Sequence, residues 1–256
     1  MNTTRIILII VFVWLSGVQS VAAYELFPMS LVLEEQGRNS HGVFRVRNTT
    51  PRPLTIEVSA VKRIFEEGYY DAVVDAEEDF MLMPPQAYIE PGRSQVFRVR
   101  YLGNEQLTQA TGYRIRFHQL PVDLAPIVGT GVHFLLNINA PVYVVPNTQT
   151  GQQQLTTEII YDNTSDYDRL GDLPVQHENP FGLVRFVNQG GGLVDLASGL
   201  LRLNYSTGES VDLTWRDFAP AVTIRHLLPN GESLIPVELI ELEHPGRVVS
   251  AEFIPS

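Results

Sequence analysis

The sequence predicts an all-β protein made of two β-sandwich domains. The first half contains about seven short runs in which apolar and polar residues alternate, and turn residues separate them, as in an antiparallel sandwich. After a polar stretch the same rhythm restarts in the second half. No run in the first half keeps the period of an amphipathic helix, so the alternation favours strands throughout.

The chain has 256 residues and begins with the pattern of a secretion signal. Arg5 supplies a positive charge, residues 6–18 are apolar, and small or modest residues precede a predicted cleavage after Ala23. The alternative is a membrane anchor, but residues 6–15 are too short to span a bilayer and polar residues interrupt their continuation. We therefore expect residues 1–23 to be a signal peptide and the mature protein to be exported.

The alternation defines two domains joined by a linker. We place the first domain at 24–146, a polar linker at 147–154 and the second domain at 155–256. A weak internal similarity, an alternating run that ends in asparagine, occurs at Phe44–Asn48 and Leu183–Asn188 and is compatible with two related sandwiches. Residues 71–79 are expected to form an acidic loop. Further strands are predicted at 24–33, 43–48, 54–61, 96–100, 113–118, 183–188, 199–205, 209–213, 223–228, 234–241 and 248–254.

Composition excludes several kinds of function. The chain has no cysteine, so it has neither disulfides nor thiolate chemistry. Its formal net charge is −11, and removal of the signal with Arg5 makes the mature chain more acidic still. Most of this net negative charge lies in residues 147–256. Lys62 is the single lysine, so we expect no nucleic-acid binding, which needs clustered basic residues.

Residues 131–146 are the most informative stretch. Five apolar residues there share one parity and would lie on one face of a long strand, followed by a second strand-like run that ends at Pro146. We expect the first part to be an edge strand whose apolar row binds another protein. The alternative is that the row packs into its own core. The five residues are Val132, Phe134, Leu136, Ile138 and Ala140.

Four motifs follow one another in the first half. They are the strand Phe44–Asn48, the signature Pro84-Pro85-Gln86 followed by Glu90-Pro91-Gly92, the strand 113–121 that ends in Leu-Pro, and the alternating run 132–146 that ends in proline. In this order they resemble the PapD-like periplasmic chaperones of pilus assembly. The second half matches in its own strand ending in asparagine and in the turn at 226–231.

The resemblance implies two Ig-like β-sandwich domains in a boomerang arrangement and a location in the periplasm. It also implies a chaperone for fimbrial subunits, which acts by donor-strand complementation and delivers them to an outer-membrane usher. The apolar row at 132–140 would fill the subunit's groove. The resemblance implies no nucleotide or other cofactor and no enzymatic activity. Self-association through the donor edge is a further option.

The chain departs from the family at the site that grips the subunit's C-terminal carboxylate. The family's two basic positions align with Ser30 and Pro141, and neither is basic here. One expectation is that another arginine replaces these basic residues; alternatively the chain binds subunits without this grip or no longer serves them. The candidate arginines are Arg45, Arg47, Arg98, Arg100, Arg114 and Arg116. They occur as pairs that alternate along their strands, a pattern that is also typical of a solvated sheet face.

Residue patterns for catalysis or metal binding are weak. No histidine pair has the helical spacing of a zinc site, although His118 and His133 could meet across neighbouring strands. Residues 162–168 are rich in oxygen ligands but lack the pattern of a calcium loop, so we expect a solvated turn and no metal. The main alternative function is a secreted β-sandwich structural or adhesive component of a surface assembly. An enzyme that uses paired carboxylates comes third.

Overall fold

The computed structural model describes residues 24–66, 69–103, 106–121, 135–147, 154–160, 182–222, 224–236 and 247–255. Within these residues the chain is almost entirely β, as the sequence predicts, and two separate apolar cores form. The first core is built from residues 24–144 and the second from residues 184–248. None of the helices in the described part is long and apolar enough to cross a membrane.

The first sandwich packs a four-stranded sheet on a six-stranded sheet. The four-stranded sheet has the order β1-β3-β8-β6, and the larger one has the order β2-β10-β9-β4-β5, with β7 also paired to β4. These strands are β1 (Tyr24–Phe27), β2 (Leu31–Glu34), β3 (His41–Asn48), β4 (Leu54–Glu66), β5 (Tyr69–Asp75), β6 (Phe80–Met83), β7 (Gln86–Ile89), β8 (Ser94–Tyr101), β9 (Thr111–Gln119) and β10 (Asn137–Val145).

Alternation along each strand decides which residues enter the first core. In β3, Phe44 and Val46 are fully buried while Arg45 and Arg47 face outward. The ring of Phe117 on β9 meets Phe44 edge-on at 5.3 Å between centroids. Such edge-to-face packing joins the two sheets at the centre of the sandwich.

Two expectations for the first sandwich were wrong. The entry run is not one strand, because β1 pairs with β3 in one sheet and β2 pairs with β10 in the other. Residues 71–75 are not a loop, because they complete β5 and pair with β4; the acidic turn is limited to a 3-10 helix at Glu77–Asp79. The long strand expected within 131–146 is continuous in its described part, since β10 runs through Pro141.

The second sandwich is made of shorter strands. They form the three-stranded sheets β11-β12-β17 and β15-β14-β18 and the two-stranded sheet β13-β16. The predicted strands 183–188 and 199–205 are confirmed to the residue, whereas the predicted strand 223–228 shrinks to β16. The elements are β11 (Leu155–Ile160), β12 (Leu183–Asn188), β13 (Val194–Asp195), β14 (Gly199–Tyr205), β15 (Ser210–Leu213), α1 (Trp215–Phe218), β16 (His226–Leu227), β17 (Glu232–Pro236) and β18 (Val248–Pro255).

A fully buried asparagine closes the end of β3 in the first sandwich. The side-chain amide of Asn48 donates to the carbonyl oxygens of Arg52 at 2.7 Å and Ile89 at 2.9 Å. Its side-chain oxygen accepts from the backbone N–H of Thr50 at 2.9 Å. Asn48 therefore satisfies backbone groups of the following loop and of β7 that would otherwise be buried without partners.

Asn188 does the same at the end of β12. Its amide donates to the carbonyl oxygens of Gly192 at 2.7 Å and Leu227 at 3.0 Å, and its oxygen accepts from the N–H of Gly190 at 3.1 Å. The partners two and four residues onward correspond to those of Asn48. The weak sequence similarity therefore extends to a shared hydrogen-bonding pattern.

A turn packed against each asparagine also recurs. Gly92 has φ +72° and donates its N–H to the carbonyl of Asn48, and Asn230 has φ +62° and donates to the carbonyl of Asn188. Each of these residues follows a proline. Positive φ explains why glycine and asparagine stand there, since they tolerate the left-handed region best.

Candidate partner-binding edge

Strand β10 has two neighbours along only part of its length. It pairs antiparallel with β9 from Asn137 to Val144, and it pairs in parallel with β2 from Val142 to Val145. Within the described residues, no strand pairs with the other side of Asn137–Pro141. This segment therefore presents a ladder edge on the side away from β9, which is the geometry that strand addition needs.

The side chains of the predicted apolar row differ in accessibility. Leu136 is 39% exposed and Ile138 is half-buried against the first core, whereas Ala140 is only 1% exposed. Ala140 is packed inside its own sandwich, which corrects its inclusion in a row that faces a partner. The parity is shared, but the strand enters its own core as it acquires β2 as a neighbour. Val132 and Phe134 lie outside the described residues.

The beginning of the edge is fixed by Tyr24, a role that the sequence did not reveal. The single proton of the Tyr24 hydroxyl is shared between two acceptors, the carbonyl oxygens of Phe117 at 2.9 Å and Leu136 at 3.2 Å. The N–H of Leu136 donates to the side-chain oxygen of Gln119 at 3.1 Å. Burial raises the pKa of Tyr24 to about 12, so the hydroxyl stays protonated and remains a donor at neutral pH. The Leu136 backbone is therefore held while its side chain stays exposed.

The two positions aligned with the family's carboxylate anchor each come directly before a residue of the parallel pairing between β2 and β10. Ser30 precedes Leu31 and Pro141 precedes Val142, and Leu31 pairs with Val142. On its other side Pro141 faces Arg114 of β9. Arg114 is half-buried, and within the described part of the chain it has no ion pair. A guanidinium thus stands one strand away from the positions where the family's basic side chains are expected.

A small apolar cluster lies at the junction where the first sandwich meets the second. Tyr143 clusters with Ala110 of the first sandwich and Leu228 of the second. Its ring lies 4.8 Å from the ring of His226. The N–H of Ala110 also donates to the carbonyl of Gly191 at 2.8 Å. No pattern in the sequence predicts this contact, since it joins residues from distant parts of the chain.

Charged groups near the junction affect its titrating side chains. Burial raises the pKa of Tyr143, against the opposite influence of Arg63 and Arg114. Arg225 holds Asp195 through two bonds of 2.7 Å, and Asp195 lies 3.7 Å from the His226 ring. Burial nevertheless lowers the pKa of His226, so this histidine is neutral at physiological pH.

The six candidate arginines occupy two outward sheet faces. Arg114 and Arg116 lie on β9 in the larger sheet, on the face away from the core. The other four, Arg45, Arg47, Arg98 and Arg100, are exposed on the outer face of the four-stranded sheet. Arg47 meets Glu25 there at 3.4 Å. Of the six, Arg114 is the one that the structure brings directly beside Pro141.

Within the described residues, no group of three or more histidine, aspartate or glutamate side chains is arranged to hold a metal ion. His118 faces Glu57 on β4 and Asn137 on β10. His133 and the oxygen-rich segment 162–168 lie outside the described residues.

No family model and no curated protein matches the chain. Among solved structures, it is similar to the complex of the chaperone CsuC with the tip subunit CsuE from Acinetobacter baumannii, with 14% identity over 91% of this chain and 97% of the other and a TM-score of 0.48. It is also similar to the class 5 fimbrial chaperone CfaA, with 13% identity over 91% and 100% and a TM-score of 0.48.

A third similar structure is the Salmonella enterica pilin SafA in complex with the chaperone SafB, with 12% identity over 93% of this chain and 98% of the other and a TM-score of 0.48. All three structures contain chaperones of pili or fimbriae.

Proposed function

We propose that the chain is a periplasmic chaperone of pilus subunits, which lends the first part of β10 to a subunit and passes that subunit to an outer-membrane usher. The observation that carries the proposal is the ladder edge at Asn137–Pro141, beside the exposed Leu136. The sequence motifs support the same function. The chemistry requires no nucleotide or cofactor, because strand exchange makes and breaks only non-covalent contacts.

The edge can satisfy a subunit in two ways. The backbone N–H and C=O groups of Asn137–Pro141 on the side away from β9 would pair with a subunit that lacks one strand, although Pro141 has no N–H to donate. The side chain of Leu136 would enter the subunit's groove, with Ile138 at its rim. Full burial of a leucine side chain contributes about 1.5–3 kcal/mol. Val132 and Phe134 would continue the row, and Ala140 would stay in the chaperone's own core.

Arg114 is our candidate for the group that holds the subunit's C-terminal carboxylate. It pairs with Pro141 in the ladder between β9 and β10, on the outward face of the larger sheet. An arginine can bind a carboxylate through two parallel hydrogen bonds, so one well-placed guanidinium can replace a pair of simpler cations. A β9 arginine would thus serve where β2 and β10 carry no basic residue.

Capture of subunits tests the edge. The mature protein should co-purify from the periplasm with the product of a neighbouring gene, and Leu136→Glu and Phe134→Glu should each abolish the capture because they place a charge in an apolar groove. Leu102→Glu is the matched control, since Leu102 is an exposed leucine of the same sandwich outside the strands. Undiminished capture by both edge variants would refute strand donation through this row.

The anchor has its own test. Arg114→Gln should reduce the captured subunit at least tenfold, the effect expected when a buried carboxylate loses a charged partner. Arg116→Gln removes the same charge from the same strand and face two residues away, and it should reduce capture less than threefold. Equal losses would show that general charge matters instead of a specific contact at Arg114.

A further inference from the structure

The outer face of the four-stranded sheet contains a cleft of about 610 Å³, a volume within the usual range of small-molecule sites. Its lining comes from β3, β6 and β8 and from the turn before β3. The donor edge belongs to the other sheet, so the two features are separate.

The strand register arranges this lining in two rows. His41, Arg100 and Met81 face one another across the three strands, and so do Val43, Arg98 and Met83 in the next row. Each row therefore has an arginine in the middle and an apolar side chain beside it. Val43 is 48% exposed and Met83 is 54% exposed, although large apolar side chains are normally found inside. The exposed side chains of Val43 and Met83 thus give the cleft an apolar surface beside its arginines.

The charge in the cleft is of one sign. Arg38, Arg98 and Arg100 line it, no carboxylate does, and within the described residues none of the three has an ion pair. Arg98 and Arg100 are two residues apart on one strand, about 7 Å, so both guanidinium groups can reach one anionic group. This local excess of positive charge is found on a chain whose net charge is −11.

We propose that this cleft binds a single amphiphilic molecule that has one hydrocarbon chain and an anionic head group, phosphate or carboxylate. The methionines and Val43 would cover the chain, since the flexible thioether side chain of methionine adapts to varied apolar shapes. Arg98 and Arg100 would hold the head group. The strongly acidic protein as a whole would be repelled by an anionic membrane surface, which favours one free molecule over a bilayer as the occupant.

Calorimetric titration of the mature protein with dodecyl phosphate, below its micelle concentration, tests the proposal. We expect one molecule bound per chain, no binding of inorganic phosphate, and at least tenfold weaker binding of dodecyl maltoside, which has the same chain with a neutral head. The double variant Arg98→Gln/Arg100→Gln and the single variant Met83→Asp should each raise the Kd for dodecyl phosphate at least tenfold.

The matched control is Arg45→Gln/Arg47→Gln, which removes the same charge from the same sheet face outside the cleft and should change the Kd less than threefold. Equal effects of the two double variants would overturn the proposal. So would equal affinity for the neutral detergent, or binding to phosphatidylglycerol vesicles without binding to free dodecyl phosphate. All altered side chains are exposed, so unchanged far-UV spectra should accompany these results. Subunit capture should be unaffected by the cleft variants, which separates this site from the donor edge.

Discussion

Replacing the buried Asn188 should destabilise the second sandwich by about 3 kcal/mol. The substitution Asn188→Ala removes the donors to the carbonyl oxygens of Gly192 and Leu227 and the acceptor for the N–H of Gly190. Each buried group left without a partner costs about 1–3 kcal/mol. The hydrogen bonds to the two carbonyl oxygens are buried and the third is partly buried. Water that enters the space left by the side chain would satisfy part of these groups, so we take the lower end of the range, about 1 kcal/mol for each of the three groups.

Tryptophan fluorescence during urea unfolding measures this loss of stability in the second sandwich. Trp215 packs against the second core and is the single tryptophan outside residues 1–23. With a urea dependence of about 1.5 kcal/mol per molar, the midpoint should fall by about 2 M. Asn204→Ala is the control, because Asn204 makes two side-chain hydrogen bonds at the surface of the same sandwich. The urea midpoint of this variant should move by less than about 0.5 M, which corresponds to about 0.7 kcal/mol. Similar small shifts in both variants would refute the argument from buried partners.

Acidification should destabilise the second sandwich through His226. Burial lowers the pKa of His226 below its ordinary 6.5, so near that pH the unfolded chain binds a proton that the folded chain does not. The urea midpoint should therefore fall as the pH drops below about 6.5, and His226→Gln should flatten this decline. An equal dependence on pH in both proteins would contradict the argument. Gly199→Ala should cost about 1–3 kcal/mol by the same fluorescence assay, because a Cβ would lie 2.5 Å from the backbone oxygen of Ile254; an unchanged midpoint would show that β14 and β18 can separate. The free chain should self-associate through its edge, and Leu136→Glu should shift sedimentation towards the monomer; identical profiles would argue against an exposed pairing edge.

Sequence patterns predicted the strands whose alternation is strong and local. Gly199–Tyr205 and Leu183–Asn188 alternate over six or seven residues, and the structure follows them. Composition predicts an acidic loop over residues 71–79, but residues 71–75 belong to β5, because their pairing with β4 outweighs their composition. The two-residue strands β13 and β16 have no pattern of their own and exist only because they pair with each other.

The candidate site was predictable only in outline. Parity placed Ala140 in the same row as Leu136, but parity does not reveal where a strand passes from a free edge into its own core. Arg114 was one of six equivalent arginines until the register put it beside Pro141. The contribution of Tyr24 could not be predicted from the sequence. Its hydrogen-bond partners are backbone carbonyl oxygens far along the chain, which no residue pattern identifies.

The hydroxyl of Tyr24 ties the start of the first sandwich to residues near its end. Its two acceptors lie 93 and 112 residues later in the chain, so the first described strand cannot complete its contacts until almost the whole domain has been synthesised. Contacts of such long range slow folding, since a large loop must close before they form. A nascent or truncated chain that stops before Leu136 would lack this closure. The segment that we propose to be lent to a partner is therefore among the last parts of its own domain to be fixed in place.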